Sequence, residues 1–161
     1  MHPRDPAWRL SAAALLVAVA LPAAASDKPC TEADKAVDGV TTWAALRKTA
    51  TDYAHCDKGQ TAELFTEAIL RVVISGWHKV ADAGPILEKD EAFRRWLHKR
   101  LSSPSLATQD SAEIRDLAKS SCPKGQDKVC AELLNSVELS RAISAPDLLL
   151  LPPPAPAKGT P

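Results

Sequence analysis

The chain contains 161 residues, and its 20 basic and 20 acidic side chains give a formal net charge of zero. Without a cationic excess there is no electrostatic argument for binding nucleic acid or an anionic membrane, so neither partner class is expected.

The first 25 residues have the pattern of a secretory signal peptide. Two arginines precede an apolar run from Leu10 to Leu21, and the small side chains of Ala23 and Ala25 come just before Ser26. Such a run, followed by a small-residue cleavage site, is typical of a removable signal. It is well short of the roughly 20 residues that a membrane-spanning helix needs. We therefore expect a signal peptide over residues 1–25 and a periplasmic or secreted mature protein without a transmembrane anchor.

Removal of this segment leaves 136 residues, enough for one domain with a buried core. The chain then ends in a segment that is rich in proline and poor in apolar side chains, a composition that favours disorder. The sequence therefore predicts a single helical domain over residues 26–151 and a disordered tail over residues 152–161.

Helical periodicity, punctuated by glycine and proline, runs through the predicted domain. Helices are predicted at about residues 31–39, 42–56, 61–80, 85–101, 110–122 and 127–143. Thr31 with Asp34 resembles a capping box, and Asp110 or Ser111 is expected to cap the fifth helix. No segment alternates with a period of two between turn signals, so a sheet is not expected. The predicted fold class is all-α: a compact bundle of about five to six helices with short antiparallel connections.

Four cysteines in an exported chain favour two disulfides over free thiols. Cys122 ends one predicted helix and Cys130 begins the next, so a bond between them would close a helical hairpin. Cys30 and Cys56 would then form the second pair. The entropy of loop closure gives roughly 2.5 and 3.5 kcal/mol for the two loops, which does not decide between the possible pairings.

The run His55-Cys56-Asp57 leaves a reactive site as the alternative to a disulfide. Neighbouring side chains on a helix point about 100° apart, so His55 and Cys56 are not placed as a base and its nucleophile. A zinc site is disfavoured because no CxxC spacing occurs and three adjacent residues do not easily converge on one ion. We therefore expect neither a metal nor another cofactor, and redox or metal chemistry at Cys56 remains the minority alternative.

No catalytic motif is recognised along the chain. His55, His78 and His98 have no histidine partner at helical spacing, so exposed or capping roles are expected. Glu63 and Glu67 could serve as an acid and a base, but Arg71 follows at the next helical step, as in a solvated charge ladder. No catalytic residue is therefore predicted, and an enzyme is the least favoured class.

The stretch FRRWLHKRL, residues 93–101, is a basic amphipathic helix. Its polar face carries the candidate partner surface, which consists of Arg94, Arg95, His98 and Lys99. A face of this kind can meet an acidic protein or a membrane interface, although most charged faces are simply solvated. Arg100 projects into the apolar arc and is expected to snorkel towards solvent. Trp77, at the margin of its own apolar stripe, is expected to be partly exposed.

The stretches W…YAHCDKG…AELFTEA and CPKGQDKVC resemble small uncharacterised exported, disulfide-bonded helical proteins of proteobacteria, over about Trp43 to Val137. This resemblance implies no particular activity. The overall format of a signal peptide and a disulfide-bonded helical domain is also similar to that of periplasmic immunity proteins for type VI secretion effectors.

Two function classes follow from these patterns. The preferred prediction is a non-catalytic protein-binding module of inhibitor, immunity or adaptor type, with another envelope protein as its partner. The alternative is a small-molecule or lipid carrier with a cavity between helices, although the aromatic residues suggest a filled core. The sequence does not indicate the oligomeric state.

Overall fold

Seven α-helices make up most of residues 28–144, the part of the chain that the computed structural model describes. They are α1 (Ala33–Asp38), α2 (Trp43–Tyr53), α3 (Gln60–Leu70), α4 (Ala83–Lys89), α5 (Glu91–Leu101), α6 (Thr108–Ser120) and α7 (Asp127–Ser144). No strand occurs among these residues, so the all-α prediction is confirmed. The predicted signal peptide and the predicted tail lie outside the described range.

The first two helices, α1 and α2, begin in different ways. The predicted capping box at α1 is wrong, because no side chain caps this helix and Asp34 instead accepts a hydrogen bond from the Thr61 hydroxyl at 2.7 Å. Thr42 does cap α2, by accepting from the backbone N–H of Ala45. After α2, a 3₁₀ turn at Ala54–Cys56 leads to the next helix.

The long third helix that the periodicity predicts is broken in the structure. After α3 the backbone forms a π-helical segment at Arg71–Ser75 and then a 3₁₀ helix at Trp77–Asp82. A π turn adds residues per turn and so rotates the side chains that follow it relative to α-helical spacing. Trp77 is accordingly buried, and its indole N–H donates to the Ser121 carbonyl at 2.8 Å. The expected partial exposure of Trp77 is therefore wrong.

The predicted fourth helix is also divided, because Asp90 ends α4 and caps α5. One oxygen of its carboxylate accepts from the Phe93 N–H at 3.0 Å, and the other accepts from the Arg47 guanidinium at 2.7 Å. The Phe93 hydrogen bond, followed by that of Arg47, lowers the pKa of Asp90. Since Arg47 lies on α2, a contact distant in sequence stabilises this break.

The last two helices, α6 and α7, form the predicted antiparallel hairpin. Its turn is closed by the Cys122–Cys130 disulfide, with the Cα atoms 6.1 Å apart. Helix α6 begins earlier than expected, at Thr108, and it has no side-chain cap, so the predicted cap at Asp110 or Ser111 is wrong. The Ser111 hydroxyl donates instead to the carbonyl of Ala107.

All seven helices contribute to one apolar core. Its largest fully buried side chains are those of Trp43, Phe65, Leu46, Ile69, Leu101, Ile114 and Leu133, together with five valines at positions 37, 40, 72, 73 and 80. Trp96 is partly buried at the edge of this core, with its ring edge-to-face on Phe65. Within the described range, no helix combines the length and the apolar character that crossing a membrane requires.

Candidate partner-binding surface

Helix α5 divides the predicted basic face into two parts. Arg94 and His98 lie towards α7: the Arg94 guanidinium is 3.8 Å from the Glu132 carboxylate, and His98 Nδ1 is 2.7 Å from the Ser136 hydroxyl oxygen.

Arg95 and Lys99 are one helical turn apart and exposed to solvent, with Arg95 paired to Glu91 in an equally exposed salt bridge. His98 is exposed as well but contacts Ser136 of α7, so we restrict the candidate surface to Arg95 and Lys99 and call it the Arg95/Lys99 face.

The His98–Ser136 contact resembles a base and a nucleophile, but the hydroxyl is buried. The Ser136 hydroxyl oxygen also lies 2.9 Å from the Glu132 carbonyl oxygen, to which it can donate its proton. Ser136 is also only 2% exposed. A hydroxyl buried to this extent is not accessible to a substrate in solution. The pair therefore fastens α5 to α7.

An open groove of about 250 Å³ adjoins the basic face, between α4, α5 and the start of α7. It is lined by Gly84, Pro85, Leu87, Glu88, Arg94, Gly125, Gln126, Lys128, Val129 and Glu132. A Cβ atom at Gly84 would lie 3.3 Å from the Gln126 side-chain oxygen and 3.5 Å from a Val129 methyl, so glycine permits this close approach. Arg94 belongs both to the groove wall and to the predicted basic face. The groove itself was not predicted, because its walls come from segments distant in the sequence.

Arg100 does not snorkel to solvent as expected. Its guanidinium lies 3.3 Å from the Asp57 carboxylate, and both side chains are largely buried. It also donates to the Ala62 carbonyl and the Thr66 hydroxyl of α3. Trp96 donates its indole N–H to the other Asp57 oxygen at 3.0 Å. Arg100 is thus a structural link between α5 and α3, and it is not part of the partner surface.

The expected charge ladder on α3 is not completed by Arg71. This guanidinium donates to the backbone carbonyls of Asp38 and Val40, and thereby fastens the end of α3 to the end of α1. Glu63 and Glu67 remain exposed on the wall of a broad, shallow hollow. No specific pairing between these two carboxylates is observed that would give them separate acid and base roles.

The second disulfide joins Cys30 to Cys56, as predicted, with their Cα atoms 5.5 Å apart. No free cysteine occurs in the described range. His55, beside this bond, places its Nε2 atom 3.0 Å from the Lys28 carbonyl. The disulfide brings Cys30, which is distant in sequence, close to both His55 and Cys56. The run of neighbouring residues His55-Cys56-Asp57 could not predict this arrangement by itself.

No protein-family model matches this chain, and no curated protein or solved structure matches it significantly. The resemblance to small exported proteins therefore stays a prediction.

Proposed function

We propose that the protein is an exported, non-catalytic module that binds another envelope protein through the Arg95/Lys99 face and the adjoining groove. The observation that carries this proposal is the position of Arg94, which connects an exposed basic helix face to a concave site. Protein interfaces commonly combine a pocket that accepts an anchoring side chain with a charged rim that orients the partner.

The shape and lining of the groove favour a protein segment over a whole small molecule. Ligand pockets usually measure about 300–1,000 Å³ and enclose most of the ligand, whereas this groove is about 250 Å³ and open. Leu87 and Val129 supply apolar contact, while the charged wall residues are two basic ones, Arg94 and Lys128, and two acidic ones, Glu88 and Glu132. One apolar side chain of a partner, flanked by acidic residues that reach Arg95 and Lys99, would match this arrangement. A lipid would find too little enclosed apolar surface in this groove.

Two disulfides in a domain of this size support an exported location, because such bonds persist mainly in oxidising compartments. Together with the signal-peptide pattern, they favour the periplasm or the medium as the place where the partner is met. An inhibitor, an immunity protein or an adaptor would fit this proposal equally well.

The proposal can be tested by charge reversal at the two exposed basic residues. Tagged mature protein, cross-linked in its own host and then purified, should capture a specific partner, and Arg95→Glu/Lys99→Glu should reduce that capture by about tenfold or more. The matched control is Lys35→Glu/Lys79→Glu, which changes the net charge equally at exposed positions outside the groove. Equal capture by the wild type and both variants would contradict the proposal.

A further inference from the structure

Three potential metal-ligating side chains converge at the N-terminal end of the described chain. The sulfur atoms of Cys30 and Cys56 and a ring nitrogen of His55 all lie within 4.8 Å of one another. Cys30 comes from the segment before α1, whereas His55 and Cys56 come from the 3₁₀ turn after α2. In the oxidised protein, the disulfide occupies both sulfurs. The same three residues would offer two thiolates and an imidazole if this bond were opened.

The hydrogen bond of His55 fixes which ring nitrogen carries the proton. A backbone carbonyl can only accept, so Nε2 must carry the proton that it shares with the Lys28 oxygen. In a neutral imidazole this leaves the lone pair on Nδ1. Metal-bound histidines almost always donate their other ring N–H to a carbonyl or a carboxylate, which fixes the tautomer and the ring orientation. His55 makes a hydrogen bond of that kind with the Lys28 carbonyl, so Nδ1 is the nitrogen that would be free to bind a cation.

Noncovalent contacts on both sides of Cys30 hold its segment in place independently of the disulfide. Before it, the Lys28 ammonium bonds the Asp52 carboxylate of α2 at 2.6 Å. The Lys48 ammonium bonds the same carboxylate, also at 2.6 Å. After it, Asp34 bonds the Thr61 hydroxyl of α3. The two sulfurs should therefore remain close together after the bond between them is broken.

We propose that reduction of the Cys30–Cys56 disulfide creates a Cys₂His site for Zn²⁺ or a similar thiophilic cation. The reductant is a dithiol: its thiolate attacks the exposed Cys30 sulfur, forms a mixed disulfide and releases the Cys56 thiolate. The second thiol of the reductant then displaces Cys30 and leaves as a cyclic or protein disulfide. Two electrons and two protons pass to the protein, and the cation later displaces the two thiol protons.

The other disulfide does not share these properties. Cys122 is only half-exposed and Cys130 is 4% exposed, so attack by a reductant is more hindered there. In the described range, Cys30, His55 and Cys56 form the one group of three histidine, cysteine or acidic residues found close enough to share an ion. Three protein ligands leave one position of a tetrahedral zinc ion to water, as in sites that exchange ligands.

Cobalt binding to the reduced protein tests this proposal. The background variant Cys122→Ser/Cys130→Ser retains only Cys30 and Cys56. It is reduced with a phosphine, exchanged into reductant-free buffer under anaerobic conditions, and titrated with Co²⁺. We expect a thiolate-to-cobalt charge-transfer band that saturates at one ion per chain and is absent from the oxidised protein. His55→Ala should weaken binding by about tenfold or more, whereas the control His78→Ala should leave it unchanged.

Three outcomes would overturn the proposal: a folded, reduced protein without the band, equal affinity in His55→Ala, or equal binding in concentrated urea. If reduction itself unfolds the background variant, circular dichroism provides the test. Zn²⁺ should then restore helicity in the presence of His55 and not in His55→Ala, because metal binding to such a site contributes directly to folding. Failure of Zn²⁺ to restore helicity would also overturn the proposal.

Discussion

Arg100 and Asp57 form a largely buried ion pair that links α5 to the turn before α3, with a guanidinium nitrogen 3.3 Å from a carboxylate oxygen. Trp96 donates to the same carboxylate, while Arg100 also reaches the Ala62 carbonyl and the Thr66 hydroxyl. Because several hydrogen bonds surround the pair, loss of one member leaves more than one buried polar group without a partner.

Replacement of Asp57 by alanine should therefore destabilise the protein strongly. An uncompensated buried charge typically costs about 3–5 kcal/mol, so we expect a loss in that range for Asp57→Ala in urea unfolding. Glu91→Ala is the matched control: it breaks the Arg95–Glu91 pair, in which both side chains are about two-thirds exposed. It should change stability by less than about 1 kcal/mol. A similar effect of the two substitutions would show that the Arg100 cluster is not a buried network.

Gly76 should not tolerate a side chain, because it lies directly after the π-helical segment and close to a backbone carbonyl of that segment. A Cβ atom there would lie 2.4 Å from the Val72 carbonyl oxygen, a backbone atom that cannot move freely. We expect Gly76→Ala to cost about 1–3 kcal/mol in urea unfolding, as for other overpacked sites. Gly39→Ala is the control, since a Cβ atom on Gly39 would have no neighbour within 4 Å and the φ of this residue is −77°. Equal stability of both variants would contradict this account of the helix break.

The sequence predicted the helical class, the disulfide pairing and the α6–α7 hairpin because these depend on local signals: apolar periodicity, cysteine spacing and turn residues. It did not predict the break at Asp90. The apolar residues on both sides keep helical spacing, and the Arg47 partner that holds Asp90 lies on another helix. Likewise, the burial of Arg100 depends on Asp57, which helical periodicity around residue 100 does not reveal.

The candidate surface was predicted only in part, for the same reason. The spacing of Arg94, Arg95, His98 and Lys99 correctly places them on α5, but it does not show that α7 approaches one side of that helix. Glu132 and Ser136 of α7 contact Arg94 and His98, so the candidate surface is restricted to Arg95 and Lys99, although His98 is also exposed to solvent. The groove beside them was missed, since it requires the close approach of Gly84 to the start of α7.

The pH dependence of stability should report the role of Asp90. Its pKa is lowered in the folded state, chiefly by the Phe93 N–H and then by Arg47. The resulting stabilisation is therefore present above the unfolded value of about 3.9 and is lost as the pH falls through the folded value. Asp90→Asn keeps a good capping group but loses the ion pair, so we expect it to be less stable by about 0.5–1 kcal/mol at pH 7.

In acid, the difference between the wild type and Asp90→Asn should shrink, because the wild-type carboxylate then becomes neutral as well. Urea unfolding at a series of pH values below neutral measures this convergence. Asp82→Asn is the control, since Asp82 also stands at an N-cap position but makes no side-chain cap hydrogen bond. A constant difference between wild type and Asp90→Asn down to the lowest pH would contradict a role for the charge at Asp90.

The two disulfides should differ in their contribution to stability, because they close loops of different length. The separation is 26 residues for Cys30–Cys56 and 8 for Cys122–Cys130. Loop-closure entropy predicts about 3.5 kcal/mol for the first and about 2.5 kcal/mol for the second. Urea unfolding of Cys30→Ser/Cys56→Ser and of Cys122→Ser/Cys130→Ser should therefore show the first variant to be the less stable by about 1 kcal/mol.

Contacts such as Lys28–Asp52 and Asp34–Thr61 also retain the N-terminal segment, so the first variant should keep its native helix content. If hydrogen exchange instead shows that α1 and the turn at Ala54–Cys56 have lost their protection in that variant, these contacts do not hold the segment without the covalent bond.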